Sequence, residues 1–197
     1  MKLILASGSA SRARILRGAH VPFTAMPADI DEEALKRKLL RDHITPDQVA
    51  AALAHAKALS VSTRNKDALV LGADQILEFG GQLVSKSADM AAARALLQRL
   101  RAKTHRLISA MALVLNGKTV WTFCDAATLR MRPFSDAFLE NYLATEGEGL
   151  LSGVGCYRLE GMGAQLFESI EGDYFSILGL PLQPLLAELR RKGVIAQ

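Results

Sequence analysis

With 197 residues, half of them hydrophobic and 22% charged, the chain is long enough to bury a sizeable core as one domain and has the composition of an ordinary globular protein. No uninterrupted apolar run reaches the length of a membrane span, and basic residues rather than a cleavage site follow the opening MKLILAS, so no signal peptide is expected and the cytoplasm is the expected compartment. The net charge of +4 is mild and suits an anionic small molecule as well as a nucleic acid.

KLILA at 2–6 reads as a short buried strand. Ser9 then caps a helix through ASRARILRGA that stops near Gly18. Thr45-Pro46, a cap followed by a first-turn proline, opens a second helix through PDQVAAALAHAKALSVS. ALVLGAD reads as a fully buried strand that closes on Asp74, and ILEFGGQLVS as a hairpin turning at Gly80-Gly81. A third helix, DMAAARALLQRLR, ends in basic residues, as the helix dipole favours. HRLISAMALVLNGKTVWTFCDAATLRMR reads as two long strands joined at Asn116-Gly117. Ser135 caps a helix through SDAFLENYLATE. A glycine-rich stretch from Gly147 to Gly163 follows, then the strand AQLFESI and a last helix from Pro181. Strands and helices mix without a regular repeat, which predicts an α/β or α+β fold around one mixed sheet.

Cys124 and Cys156 lack CxxC spacing and read as free thiols of a reducing compartment. His20, His43, His55 and His105 form no zinc-binding pattern. Aromatics make up 6% and do not interleave with basic residues, which disfavours a nucleic-acid partner.

Four places can carry chemistry. ASGSASRAR, Ala6 to Arg14, joins a strand to a helix, so backbone N–H groups, the Ser7 and Ser9 hydroxyls and the Arg12 and Arg14 cations converge where an anion would bind. A capped helix with solvated arginines is the plainer reading. Asp74 and Gln75 break an apolar segment, and a carboxylate at the carboxyl end of a buried strand is a common ligand position. A turn aspartate satisfied by local backbone is the alternative. Lys57 lies near the apolar side of its helix and Lys86 just past the hairpin. Either can reach inward or snorkel to solvent. DIDEEALK, Asp29 to Lys36, offers hard oxygen ligands for magnesium, or simply an acidic first helical turn.

Taken together, these residues resemble the Maf-type nucleoside triphosphate pyrophosphatases, also called septum formation proteins, over nearly the whole chain. ASGSASRARIL, Ala6 to Leu16, stands for the family's ASxSPRRxxLL. Asp29, Asp31 and Glu32 stand for its DxDE, and AHAKA with Lys57 for its helical lysine element. GADQ, Gly72 to Gln75, stands for GAD followed by Thr or Gln. Lys86 stands for the GKP lysine and Thr104-His105 for the THE strand start. The late stretch GCYRLEGMGAQLFESIEGDYFSILGLPL resembles the family's closing signature. The chain departs from the pattern at Ala10 and Ser11, which replace Pro-Arg, at Ser85 and Ser87 around Lys86, and at Arg106 in place of glutamate.

The resemblance implies a single domain over 1–197, of two lobes around a long twisted mixed sheet flanked by helices, similar to the inosine triphosphatase type, with a nucleotide cleft between the lobes. It implies hydrolysis of a nucleoside triphosphate to monophosphate and diphosphate, with magnesium or manganese as cofactor, no membrane or nucleic-acid partner, and room for a homodimer. Asp74 would be the base and, with Glu32, a metal carboxylate. Lys57 and Lys86 would meet developing charge, while Ser7, Ser9, Ser11 and Arg12 would bind substrate. Ser11, Gln75 and Glu160 occupy the positions that separate the family's dTTP/UTP branch from its 7-methyl-GTP branch, and Gln75 and Glu160 match the latter. A carboxylate accepts both donors of guanine's Watson–Crick edge and favours the positive 7-methylated ring. The alternatives are a dTTP/UTP enzyme and a non-hydrolysing nucleotide-binding regulator of cell division.

Overall fold

The computed structural model describes residues 1–41 and 44–196, and His43 lies outside them. In chain order the elements are β1 (Lys2–Leu5), α1 (Ala10–Gly18), β2 (Thr24–Ala25), α2 (Glu32–Arg41), α3 (Pro46–Ser62), β3 (Ala68–Phe79), β4 (Gln82–Val84), α4 (Met90–Leu100), β5 (Thr104–Leu115), β6 (Lys118–Met131), α5 (Asp136–Glu146), β7 (Phe167–Glu171), α6 (Tyr174–Ile177) and α7 (Leu182–Arg191). Two short 3-10 turns, Gly147–Ser152 and Met162–Leu166, precede β7. Among the described residues the strands form one mixed sheet in the order β2-β1-β3-β5-β6-β7, with β4 paired to β3.

The chain divides into two compact units: residues 1–75, 108–126 and 173–197, and residues 76–107 with 127–172. In the first, β1 lies parallel to β2 and β3, with Leu3 opposite Leu69 and Leu5 opposite Leu71. Strand alternation sorts the core into two layers. Leu3, Leu5, Leu69, Leu71 and Ala73 join Leu16, Leu185 and Leu189 of α1 and α7. Ile4, Ala6, Ala68 and Val70 face the other way, with Ala58 and Val61 of α3. Gly72 belongs to that second face, where only hydrogen fits. A Cβ there would stand 2.0 Å from the Ala54 carbonyl oxygen and 2.7 Å from the Ala58 nitrogen.

In the second unit α4 packs on α5, and β4 and β7 run antiparallel to β3 and β6. Leu96, Leu97, Leu100, Leu139 and Tyr142 are buried there.

The expected caps form as read. Ser9 and Ser135 accept N–H bonds from Arg12 and Phe138, and Thr45 makes a full capping box with Gln48. The structure adds a cap that was not expected, Asp89 accepting the Ala92 N–H at the start of α4. Two expectations are corrected. The buried strand does not close on Asp74. It runs on through Gln75 to Phe79, because the strand changes partner, from β1 at residues 68–71 to β4 at 77–79. The strand expected from Ala164 begins at Phe167, since residues 162–166 make a 3-10 turn. The DIDEEALK stretch carries the start of α2, where Asp31 accepts the Ala34 N–H at 2.8 Å and Glu33 pairs with Lys36. Among the described residues no helix is long and apolar enough to cross a membrane.

Candidate active site

In the first unit, α3 presents Ala54, Lys57 and Ala58 along one side, the spacing that places helical neighbours together. Ala54 and Ala58 meet Gly72. Two residues further on, β3 presents Asp74 on the same face. Lys57 therefore turns inward, at 8% exposure, and does not snorkel. Its Nζ donates to Asp74 Oδ1 at 2.6 Å and lies 2.8 Å from Glu32 Oε2 at the start of α2. Asp74 is 5% exposed, and its second oxygen, Oδ2, is buried without a hydrogen-bond partner among the described residues. A buried carboxylate oxygen left open in this way is costly unless something binds it.

Arg12 joins the same electrostatic cluster. It is 9% exposed, contrary to the picture of solvated arginines. Its Nε donates to the Gly179 carbonyl at 2.9 Å and its Nη1 to Ser7 Oγ at 3.2 Å. Burial lowers the Arg12 pKa from its ordinary value, while the charges of Asp74 and Glu32 work against that shift. Ser7 Oγ also accepts the Ser9 N–H, and Ser9 Oγ is spent on the cap of α1. Arg14 is exposed.

Ser11 and Gln75 bind backbone. Ser11 Oγ donates to the Leu178 carbonyl at 3.2 Å. Gln75 Nε2 donates to the carbonyls of Ser176 and Ile177 and to Ser109 Oγ. Those carbonyls fix which way the amide points.

Lys86 and Glu160 belong to the second unit. Lys86 is exposed and lines a cavity of about 400 Å³ with Ser85, Ser87 and Arg99. Glu160 is exposed, in a segment held on both sides. Before it, the Arg158 N–H donates to Tyr142 Oη and His105 Nε2 meets Tyr157 Oη at 2.7 Å. After it, the Met162 N–H donates to Glu146 Oε1. Arg158 Nη1 stands 3.6 Å from Glu146 Oε2. Among the described residues neither Cys124 nor Cys156 is in a disulfide, and burial pushes the Cys156 thiol pKa up.

The sequence reading missed Ser109, Ser176 and Gly179, which organise Gln75 and Arg12. The available signal was a hydroxyl, Ser109, inside the apolar run LISAMALVL. As for metal, no group of three or more His, Cys, Asp or Glu gathers among the described residues. The donor set is Asp74 Oδ2 with Glu32, which fits magnesium, an ion held by one or two carboxylates together with substrate phosphates. Charge bookkeeping agrees. Arg12 and Lys57 balance Asp74 and Glu32, so a triphosphate entering this neutral cluster needs further positive charge.

A family model described as Maf-like protein matches residues 2–192. The chain is 48% identical over 196 residues to a protein of Maricaulis maris named nucleoside triphosphate pyrophosphatase, covering 100% of this chain and 99% of that one. It is 47% identical over 195 residues to a Brucella abortus protein named 7-methyl-GTP pyrophosphatase, covering 99% and 98%. A Mesorhizobium japonicum protein of the same name is 49% identical over 194 residues, with 98% of each chain covered. With the match spanning the strand-to-helix start, the buried Lys57–Asp74 pair and the closing signature, this chain belongs to the Maf-like protein family.

Proposed function

We infer that this chain is a nucleoside triphosphate pyrophosphatase that releases a monophosphate and diphosphate, with 7-methyl-GTP as its preferred nucleotide. The observation that carries the reading is the buried Lys57–Asp74 contact with Asp74 Oδ2 left open. Lys57 occupies Oδ1, so Oδ2 is the oxygen that accepts a proton from the attacking water or holds a cation. Lys57 and Arg12 face the charge that grows on the phosphate oxygens in the transition state. Ser7 and Ser9 order the turn into α1, and Ser7 helps aim the Arg12 fork. Glu32, and Asp74 through Oδ2, are the carboxylates that would hold magnesium or manganese. The ion's chemistry when bound is to neutralise phosphate oxygens.

Lys86 and Glu160 enter through their place in the family's motifs. In this reading Lys86 adds a cation for the phosphates, and Glu160 accepts the N1–H and N2–H of guanine. The dTTP and UTP edge puts one donor between two acceptors, which a carboxylate repels. The Brucella and Mesorhizobium relatives carry 7-methyl-GTP in their names, which supports that preference.

The test is pyrophosphate release by purified protein with magnesium, over nucleotides that include 7-methyl-GTP, GTP, dTTP and UTP. The highest kcat/KM is expected for 7-methyl-GTP. Preference for UTP overturns the base assignment and keeps the reaction. No pyrophosphate from any nucleotide overturns both.

A further inference from the structure

Four successive backbone carbonyls, from Ser176 to Gly179, each accept a hydrogen bond from a residue grouped above with substrate binding. Gln75 Nε2 serves Ser176 at 3.0 Å and Ile177 at 2.9 Å, Ser11 Oγ serves Leu178 at 3.2 Å, and Arg12 Nε serves Gly179 at 2.9 Å. Behind them lies Ser109 of β5, 1% exposed. Its Oγ donates to the Ser176 carbonyl at 2.7 Å and accepts from Gln75 Nε2 at 3.1 Å. The far side is anchored as well. Ser176 Oγ donates to Asp125 Oδ2 at 2.5 Å, and its N–H donates to Asp173 Oδ1 at 2.8 Å. Gly179 sits at φ +90°, where a Cβ would be strained and would stand 3.6 Å from Gln75 Oε1 and 3.8 Å from Arg12 Nε.

We propose that residues 176–179 are a strap that aims the Arg12 guanidinium at the substrate phosphates, with Ser109 as its buried positioning residue. A guanidinium recognises phosphate through a planar fork, so its orientation matters as much as its charge. Among the described residues Arg12 has no carboxylate in direct hydrogen bond to orient it. The Gly179 carbonyl and Ser7 Oγ do that, and the Gly179 carbonyl is only as well placed as the strap. Ser109 joins the strap to Gln75 and so transmits the fixed geometry of β3 and β5 to Arg12. It acts at the phosphate end, because the Gln75 amide nitrogen it meets is turned to the carbonyls of the strap and not to a base. This deepens the pyrophosphatase reading and rests on it.

The test compares Ser109→Ala with Ser109→Thr, which keeps the hydroxyl. Thermal melting confirms folding, calorimetry gives the affinity for magnesium pyrophosphate, and kcat/KM is measured for 7-methyl-GTP and UTP. Ser109→Ala is expected to weaken pyrophosphate binding about five- to tenfold, roughly one hydrogen bond's worth. It should lower kcat/KM by the same factor for both nucleotides, while Ser109→Thr stays near wild type. A folded Ser109→Ala with unchanged pyrophosphate affinity overturns the strap, as does a loss that differs between the two bases. Asp125→Asn loosens the Ser176 anchor from the opposite side and reads the same effect if Ser109→Ala fails to fold. Unchanged pyrophosphate affinity in Asp125→Asn then overturns the strap equally. A wild-type protein that binds pyrophosphate but releases none from any nucleotide overturns the proposed function, and the strap is then judged on pyrophosphate binding alone.

Discussion

Asp74→Asn removes one negative charge from a side chain that is 5% exposed, while preserving its size and an acceptor for Lys57. Breaking a buried ion pair commonly costs about 3–5 kcal/mol because a charge is stranded. Here the ammonium keeps Glu32 Oε2 at 2.8 Å, and the amide oxygen still accepts from it. The stability change should therefore stay near 1–2 kcal/mol, a melting shift of about 2–8 °C for a chain of this size. The chemistry should suffer far more. A lost general base costs roughly 10²–10⁴-fold in rate, about 3–5 kcal/mol of barrier. The loss should fall on kcat, since nothing in the change removes Arg12 or Lys57 from the substrate. The assay is pyrophosphate release with magnesium at saturating nucleotide, beside a thermal melt of the same preparation. Turnover within about tenfold of wild type would refute the reasoning, because Oδ2 would then accept no proton and Asp74 would serve only to hold Lys57.

Lys57→Ala and Lys86→Ala are each expected to lower kcat more than they raise KM, since charge builds on the phosphates mainly in the transition state. Steady-state kinetics that show only a KM effect would demote them to ground-state binding. Glu160→Gln should lower the ratio of kcat/KM for 7-methyl-GTP over UTP by about tenfold or more, as a charged hydrogen bond is worth about 1.5–3 kcal/mol. An unmoved ratio rules out base reading by Glu160. Burial lowers the His105 pKa from 6.5 to about 4. The unfolded chain takes up that proton at higher pH than the folded one. The stabilisation is therefore complete above about pH 6.5 and is lost as pH falls towards 4, by about 3 kcal/mol in all. Urea midpoints should fall more steeply with acid in wild type than in His105→Gln, and equal slopes would contradict the assignment.

The starts of α1, α3 and α5 were legible because a capping hydroxyl is a local signal: Ser9, Thr45 and Ser135 need only their own turn. The Asn116-Gly117 turn was legible for the same reason, and both residues take the positive φ it requires. Strand β2, two residues long, and helix α6, four residues long, were not, for both are too short to carry a periodicity. Asp74-Gln75 looked like a strand end because polarity interrupts the apolar run. A strand that exchanges one neighbour for another leaves no mark in the sequence. In the candidate site, Ser7, Arg12, Glu32, Lys57 and Asp74 could be named from residue type and motif. That Lys57 would choose Asp74 over solvent could not, since it depends on how closely α3 lies against β3. Ser109 and Ser176 escaped notice because 67 residues separate them and neither is polar enough to disturb its surroundings in a hydropathy reading.

The contact at Gly72 makes the spacing of the Lys57–Asp74 pair a matter of backbone against backbone. Elsewhere the distance between a helix and a sheet is set by side chains, and drifts as Leu, Ile and Val replace one another over generations. Here Gly72 removes the side-chain spacer, and the Ala54 carbonyl and Ala58 nitrogen come up against the strand itself. Peptide groups do not vary between sequences, so this separation is insulated from the slow turnover of core residues. A lineage can rebuild the hydrophobic layers on either face of the sheet and inherit the same reach from ammonium to carboxylate.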